Sequence, residues 1–152
     1  MPDELPEREE AGTLSTPAIA SLSAGISYLN KQTLSAVSEH EKRLFERLRE
    51  RLMSLPEYHV YLPEYSGSTL MFHRSGIPSD KIGQYLSDRG ICVRTGYHCA
   101  ALAHQSLGTP DGGGVRVSFG SFNRECEIDT LFQTLRRMEW LHEIKANESE
   151  PN

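Results

Sequence analysis

The feature that most constrains this chain is a change of hydrophobic period at Pro56. Upstream of it, apolar residues recur every three or four positions: Ile19, Leu22, Ile26 and Leu29 form one stripe, and Val37, Leu44, Leu48, Leu52 and Leu55 form a second. That spacing places each set on one face of a helix. Ser15 and Thr16 before Pro17 make a helix start, with a side-chain oxygen for the cap and proline in the first turn. The second helix follows Thr33 or Ser35 and stops where Pro56 removes a donor. Such stripes belong to a core or a subunit contact before any ligand site.

Downstream the pattern shortens. His59 to Leu62 and Ser68 to His73 are rich in β-formers and read as two strands. Pro78, Ser79 and Asp80 open a short helix carrying Ile82, Tyr85 and Leu86, with Gly90 where a left-handed C-terminal residue belongs. Ile91 to Arg94 reads as a third strand, Ala100 to Leu107 as one or two helical turns, and Thr109 to Gly114 as a flexible connection. Val115 to Phe119 is the fourth strand. Asn123 is the expected cap of a last helix whose stripe is Ile128, Leu131, Phe132, Leu135, Met138 and Leu141 or His142. The sum is an α+β unit, a small, mostly antiparallel sheet covered by helices. Residues 1–15 are charged and aperiodic and are expected to be flexible, 16–145 to form one domain, and 146–152 to be a polar tail.

Composition excludes several classes. A formal net charge of −5 over 152 residues argues against a general nucleic-acid surface. The basic residues Lys42, Arg43, Arg47, Arg49 and Arg51 alternate with Glu39, Glu41, Glu46 and Glu50, as on a solvated helix held by ion pairs one turn apart. No run is apolar enough to span a membrane, and Met1 to Glu10 does not read as a signal peptide. Cys92, Cys99 and Cys126 are odd in number and form no CxxC pair, which suits a reducing, cytoplasmic setting.

The chemistry concentrates in Ile91 to His104. An apolar run ends in Arg94, Gly96 permits the positive φ of a sharp turn, and Cys99 follows on the loop. A thiol reacts as the thiolate, and Arg94, a protonated His98 or a helix N-terminus would raise that fraction. From composition alone, Cys99 reads first as a small buried apolar residue, and the residues around it are what favour the reactive reading. Arg116, in a strand, reads equally as a structural salt-bridge partner. A metal site from His98, Cys99 and His104 is disfavoured, because structural zinc takes four ligands and usually CxxC pairs. Cys92, inside an apolar strand, and Cys126 are expected to be buried.

The run Arg94-Thr95-Gly96-Tyr97-His98-Cys99-Ala100, followed by Leu102-Ala103-His104, Leu107-Gly108-Thr109, Gly114-Val115-Arg116-Val117-Ser118, Phe122-Asn123 and Glu127-Ile128-Asp129, resembles the C-terminal region of cysteine desulfurases. These are class V, aminotransferase-like enzymes that use pyridoxal phosphate (PLP). Leu5-Pro6-Glu7-Arg8, Glu10-Ala11-Gly12-Thr13 and Thr16-Pro17 resemble the segment after that family's cofactor-binding lysine. The resemblance implies the small C-terminal domain of such an enzyme. It implies Cys99 as the nucleophile that takes sulfur from L-cysteine as a persulfide, leaving L-alanine. It implies Arg116 and Arg94 at the substrate, and Gly12 and Thr13 at the cofactor phosphate, usually across a homodimer interface.

Arg124 replaces the family's usual threonine, which moves cap duty to Asn123. None of Lys31, Lys42, Lys81 or Lys145 lies in the lysine motif, so the large PLP-lysine domain is expected to be absent, no PLP is expected on this chain alone, and activity is expected only with that domain and a partner subunit. A sulfur-acceptor protein is a further implied partner; no nucleic acid, membrane or metal is implied. The competing readings are a class V aminotransferase, epimerase or lyase, a selenocysteine lyase, and a non-catalytic module that accepts sulfur on Cys99.

Overall fold

The computed structural model describes residues 3–6, 8–9, 12–62 and 67–148, with side chains in the last helix described as far as Met138. The expectations for the far ends of 1–15 and 146–152, and for Leu141 and His142 as core residues, fall partly or wholly outside that description. The chain divides into two units, Met1–Val37 and Ser38–Asn152. The first unit holds α1 (Thr16–Gln32) and the start of α2 (Leu34–Met53). Pro17 stands in the first turn of α1 as read from the sequence, but Ser15 makes no side-chain cap. Ile19, Leu22, Ile26 and Leu29 are all exposed. Thr33 ends α1 at φ +68 and caps α2 through its hydroxyl, which accepts from Ala36 N at 3.2 Å.

The second unit carries the rest of α2, then β1 (Tyr58–Tyr61), β2 (Thr69–Arg74), α3 (Ser79–Ser87), β3 (Arg94–Gly96), α4 (Ala101–Leu107), β4 (Gly114–Ser118) and α5 (Glu125–Glu148). The strands form one antiparallel sheet in the order β1-β2-β4-β3. Because side chains alternate along a strand, Tyr58, Leu70, Phe72, Val115 and Val117 share one face. They are buried with Leu44, Phe45, Leu48 and Leu52 of α2, Ile82 and Leu86 of α3, and Ile128, Leu131 and Leu135 of α5. Each fully buried aliphatic or aromatic side chain contributes about 1.5–3 kcal/mol. The α5 stripe read from the sequence is thus the core stripe, and so is that of α2 between Leu44 and Leu52. An ion-pair network ties α2 to α5: Arg47 pairs with both oxygens of Asp129 at 2.9 Å, and Arg51 reaches the same carboxylate at 2.7 Å.

Four local expectations are corrected. The ladder of β3 begins at Arg94, three residues after the expected start, because the register runs from Arg94 opposite Arg116 to Gly96 opposite Gly114. Ile91 and Val93 still pack against the core, and their alternation turns Cys92 outward, so this thiol is exposed. Cys126 is exposed too, since it lies about 200° around α5 from Ile128. The Asn123 side chain does not cap α5; its oxygen accepts from Gly120 N at 2.9 Å. The cap bond comes from Glu127, whose carboxylate accepts from Arg124 N at 3.0 Å, the reaching-back half of a capping box.

Candidate functional site around Arg116 and Cys99

The sheet's other face builds the site. Register puts Tyr61 opposite Met71, Met71 opposite Arg116 and Arg116 opposite Arg94, so these four residues form one row across all four strands. A pocket of about 400 Å³ lies over that row, lined by Tyr61, Met71 and Arg116 from the sheet and by His98, Ala103 and His104 from the following loop and α4. The Nε of Arg116 and both ring nitrogens of His98 are buried without a hydrogen-bond partner. Among the described residues no carboxylate or lysine lines the pocket. Burial, reinforced by Arg116, His104 and Arg94, holds the His98 imidazole below its ordinary pKa of 6.5. A pocket with an arginine fork, a second arginine across the ladder and a neutral imidazole suits an anion, and a carboxylate above others, because the planar guanidinium pairs with it through two parallel bonds.

The loop between β3 and α4 presents Cys99. Gly96 has φ +97, as the sharp turn requires. His98 and Cys99 then occupy the left-handed region in succession, at φ +52 and +59. For residues with a Cβ this costs on the order of 1–2 kcal/mol each, so the loop persists only because its surroundings hold it, an arrangement common at functional sites. Three contacts do so. Gly112 N donates to the Tyr97 hydroxyl at 3.0 Å. The Tyr97 ring meets His104 edge to face at 5.3 Å. His104, only 3% exposed, places Nδ1 2.9 Å from the Thr109 hydroxyl.

Of the residues singled out from the sequence, the structure brings Arg94 and Arg116 together as cross-strand partners. It puts exposed Cys99 between the pocket residues His98 and Ala100. Gly12 and Thr13 belong to the first unit, where both are exposed and Gly12 has φ +80 with open space around it. Toward PLP, the described residues of this pocket offer donors for anionic oxygens and no amine for covalent attachment. Sequence reasoning missed His98 as a pocket wall and Tyr97 and His104 as braces. The six-residue gap between His98 and His104 was legible, but it was weighed for metal. Among the described residues no three metal-ligating side chains converge, and none of the helices is long and apolar enough to cross a membrane.

The family model for aminotransferase class-V matches residues 2–131. The chain is 30% identical over 138 residues to a cysteine desulfurase of Serratia proteamaculans, covering 91% of this chain and 34% of that protein. It is 34% identical over 129 residues to a probable cysteine desulfurase of Mycobacterium leprae, covering 83% and 30%. Among solved structures, the apo cysteine desulfurase of Thermococcus onnurineus superposes with a TM-score of 0.80 at 32% identity, over 88% of this chain and 33% of that one. The chain therefore spans about a third of the length of the relatives it matches. By its motifs, its fold and these matches, it belongs to the class-V aminotransferase family.

Proposed function

We propose that this chain is the substrate-carboxylate-binding and sulfur-accepting part of a PLP-dependent cysteine desulfurase, working in the cytoplasm with a large domain and a partner subunit. The observation that carries the reading is the unpartnered Nε of Arg116 beside the unpartnered ring of His98, next to a thiol on a strained, braced loop. In this reading Arg116 binds and orients the carboxylate of L-cysteine, and Arg94 adds positive potential from the neighbouring strand. Gly12 and Thr13 offer donors to the cofactor phosphate. PLP, when bound, supplies the electron sink for the bond that breaks. The Cys99 thiolate attacks the substrate sulfur: one S–S bond forms, the substrate C–S bond breaks with its electron pair going to carbon, and that carbon takes a proton to give L-alanine. His98, held neutral, keeps a ring nitrogen that can accept the proton of an incoming thiol.

The test joins this chain to the remaining two thirds of the Serratia proteamaculans enzyme and follows alanine formation. Arg116→Leu removes charged hydrogen bonds worth about 1.5–3 kcal/mol, so kcat/KM for L-cysteine falls roughly 10- to 150-fold with KM carrying much of the change. An Arg116→Leu chimera with unchanged KM refutes the assignment. Cys99→Ala that keeps sulfur transfer points instead to a relative that makes no use of the thiol.

A further inference from the structure

A second cavity, of about 470 Å³, lies between the β2–α3 turn and the glycine run before β4. It shares no lining residue with the pocket over Arg116. Its walls include Arg74, Ser75, Ser79, Asp111 and Gly113. Arg74 ends β2 on the core face, opposite Tyr58, and is only 7% exposed. Its guanidinium carbon stands 5.9 Å from the Tyr58 ring centroid, and its Nε is buried with no hydrogen-bond partner. Among the described residues no carboxylate forms an ion pair with it. An Nε–H buried in this state carries a desolvation cost that the contact with the Tyr58 ring offsets only in part.

The nine-residue helix α3 begins at the same wall. The residue before it is Pro78, which has no side-chain acceptor, so the Ser79 and Asp80 amides receive no side-chain cap, while Lys81 N donates to Pro78 O at 3.1 Å. The Ser79 hydroxyl is turned away, donating to Gly112 O at 2.7 Å. Uncapped amides at a helix start favour an anion, and Arg74 supplies the complementary cation from the facing strand end. Asp80 in the first turn and Asp111 on the opposite wall are both exposed and both negative. They repel a doubly charged anion about twice as strongly as a singly charged one.

We infer that this cavity binds the carboxylate of a small organic acid, held by the Arg74 guanidinium and the first amides of α3. The probe is sodium acetate, exchanged against sodium chloride at constant ionic strength, with sulfate and phosphate in parallel. Nitrogen-15 NMR of the full chain follows Arg74 Nε–H and the Ser79 and Asp80 amides. Acetate shifts all three saturably, at least threefold more tightly than either tetrahedral anion, and raises Tm as a ligand of the folded state must. Arg74→Met loses both effects. Arg74→Lys, which keeps the charge without the fork, binds at least threefold more weakly and decides the matter if Arg74→Met fails to fold. Non-saturating shifts, or equal binding of all three anions, identify an adventitious ion only and overturn the proposal. So does an Arg74 Nε resonance that moves in Asp111→Asn without acetate, since Arg74 would then be paired internally.

Discussion

Replacing Gly113 with alanine separates backbone strain from steric contact at the hinge of the cysteine loop. Gly112 and Gly113 both have positive φ, +90 and +70, so alanine at either costs on the order of 1–2 kcal/mol of backbone strain. Around Gly112 a Cβ meets nothing within 4 Å. At Gly113 it would overlap the carbonyl of Gly96 and stand 3.0 Å from Tyr97 N. Those atoms are backbone at the end of β3 and cannot rotate aside. Relieving the overlap pushes Gly96 from its partner Gly114, adding about 1–3 kcal/mol for overpacking and roughly 0.5–1.5 kcal/mol for a lost ladder bond. Gly113→Ala is thus expected to cost about 2.5–6.5 kcal/mol and Gly112→Ala about 1–2, read by urea unfolding with far-UV circular dichroism. Alkylation of Cys99 should change in rate only in Gly113→Ala, because only that variant moves the strand that carries the loop. Two variants within about 1 kcal/mol of each other would refute the reasoning.

Three further outcomes follow from the same structure. His98 and His73 both have pKa values lowered chiefly by burial. Below 6.5 the unfolded chain therefore binds more protons than the folded one, so stability present above 6.5 is lost as pH falls toward the folded pKa values. Urea midpoints between pH 7.5 and 5 should fall less steeply in His98→Gln than in the parent, and identical slopes would count against the buried neutral ring. Asp129, whose pKa is lowered first by its hydrogen bonds from Arg47, contributes stability that is lost only below about 3.8, so Asp129→Asn should alter the acid limb of the same curve and leave the limb near pH 6 unchanged. The charges near the thiols in sequence differ as well: Cys99 follows Arg94 by five residues with no carboxylate between them, and Cys126 stands between Glu125 and Glu127. Anionic iodoacetate relative to neutral iodoacetamide should favour Cys99 over Cys126 at low salt, with the preference fading at 1 M salt; equal ratios would place Cys99 outside that field.

The core was legible because its signals are local. Leu44, Leu48 and Leu52, or Ile128, Leu131 and Leu135, repeat at helical spacing, and the repeat alone names the buried face. The stripe of α1 is equally regular, yet Ile19, Leu22 and Ile26 are exposed, since periodicity names a face without naming what covers it. At Cys92 strand alternation outranks composition: Ile91 and Val93 pack against the core and force the residue between them out. The candidate site was legible only as separate motifs. Arg94 and Arg116 are far apart in sequence, and their adjacency depends on a register that Gly96 and Gly114 fix. The bracing of the loop by Tyr97 and His104 requires the glycine run to fold back on it, and no local pattern records that. The shift of cap duty from Asn123 to Glu127 has the same origin, because a turn at Gly120 competes for the asparagine oxygen.

The most direct test of the central claim is mass mapping of Cys99 in the chimera described above, after a single turnover of L-cysteine without reductant. The account predicts a mass increase of one sulfur, about 32 Da, on the peptide carrying Cys99, matched one to one by L-alanine and absent in Cys99→Ala. Alanine formed with the added sulfur on Cys92 or Cys126, or on no cysteine of this chain, would contradict it.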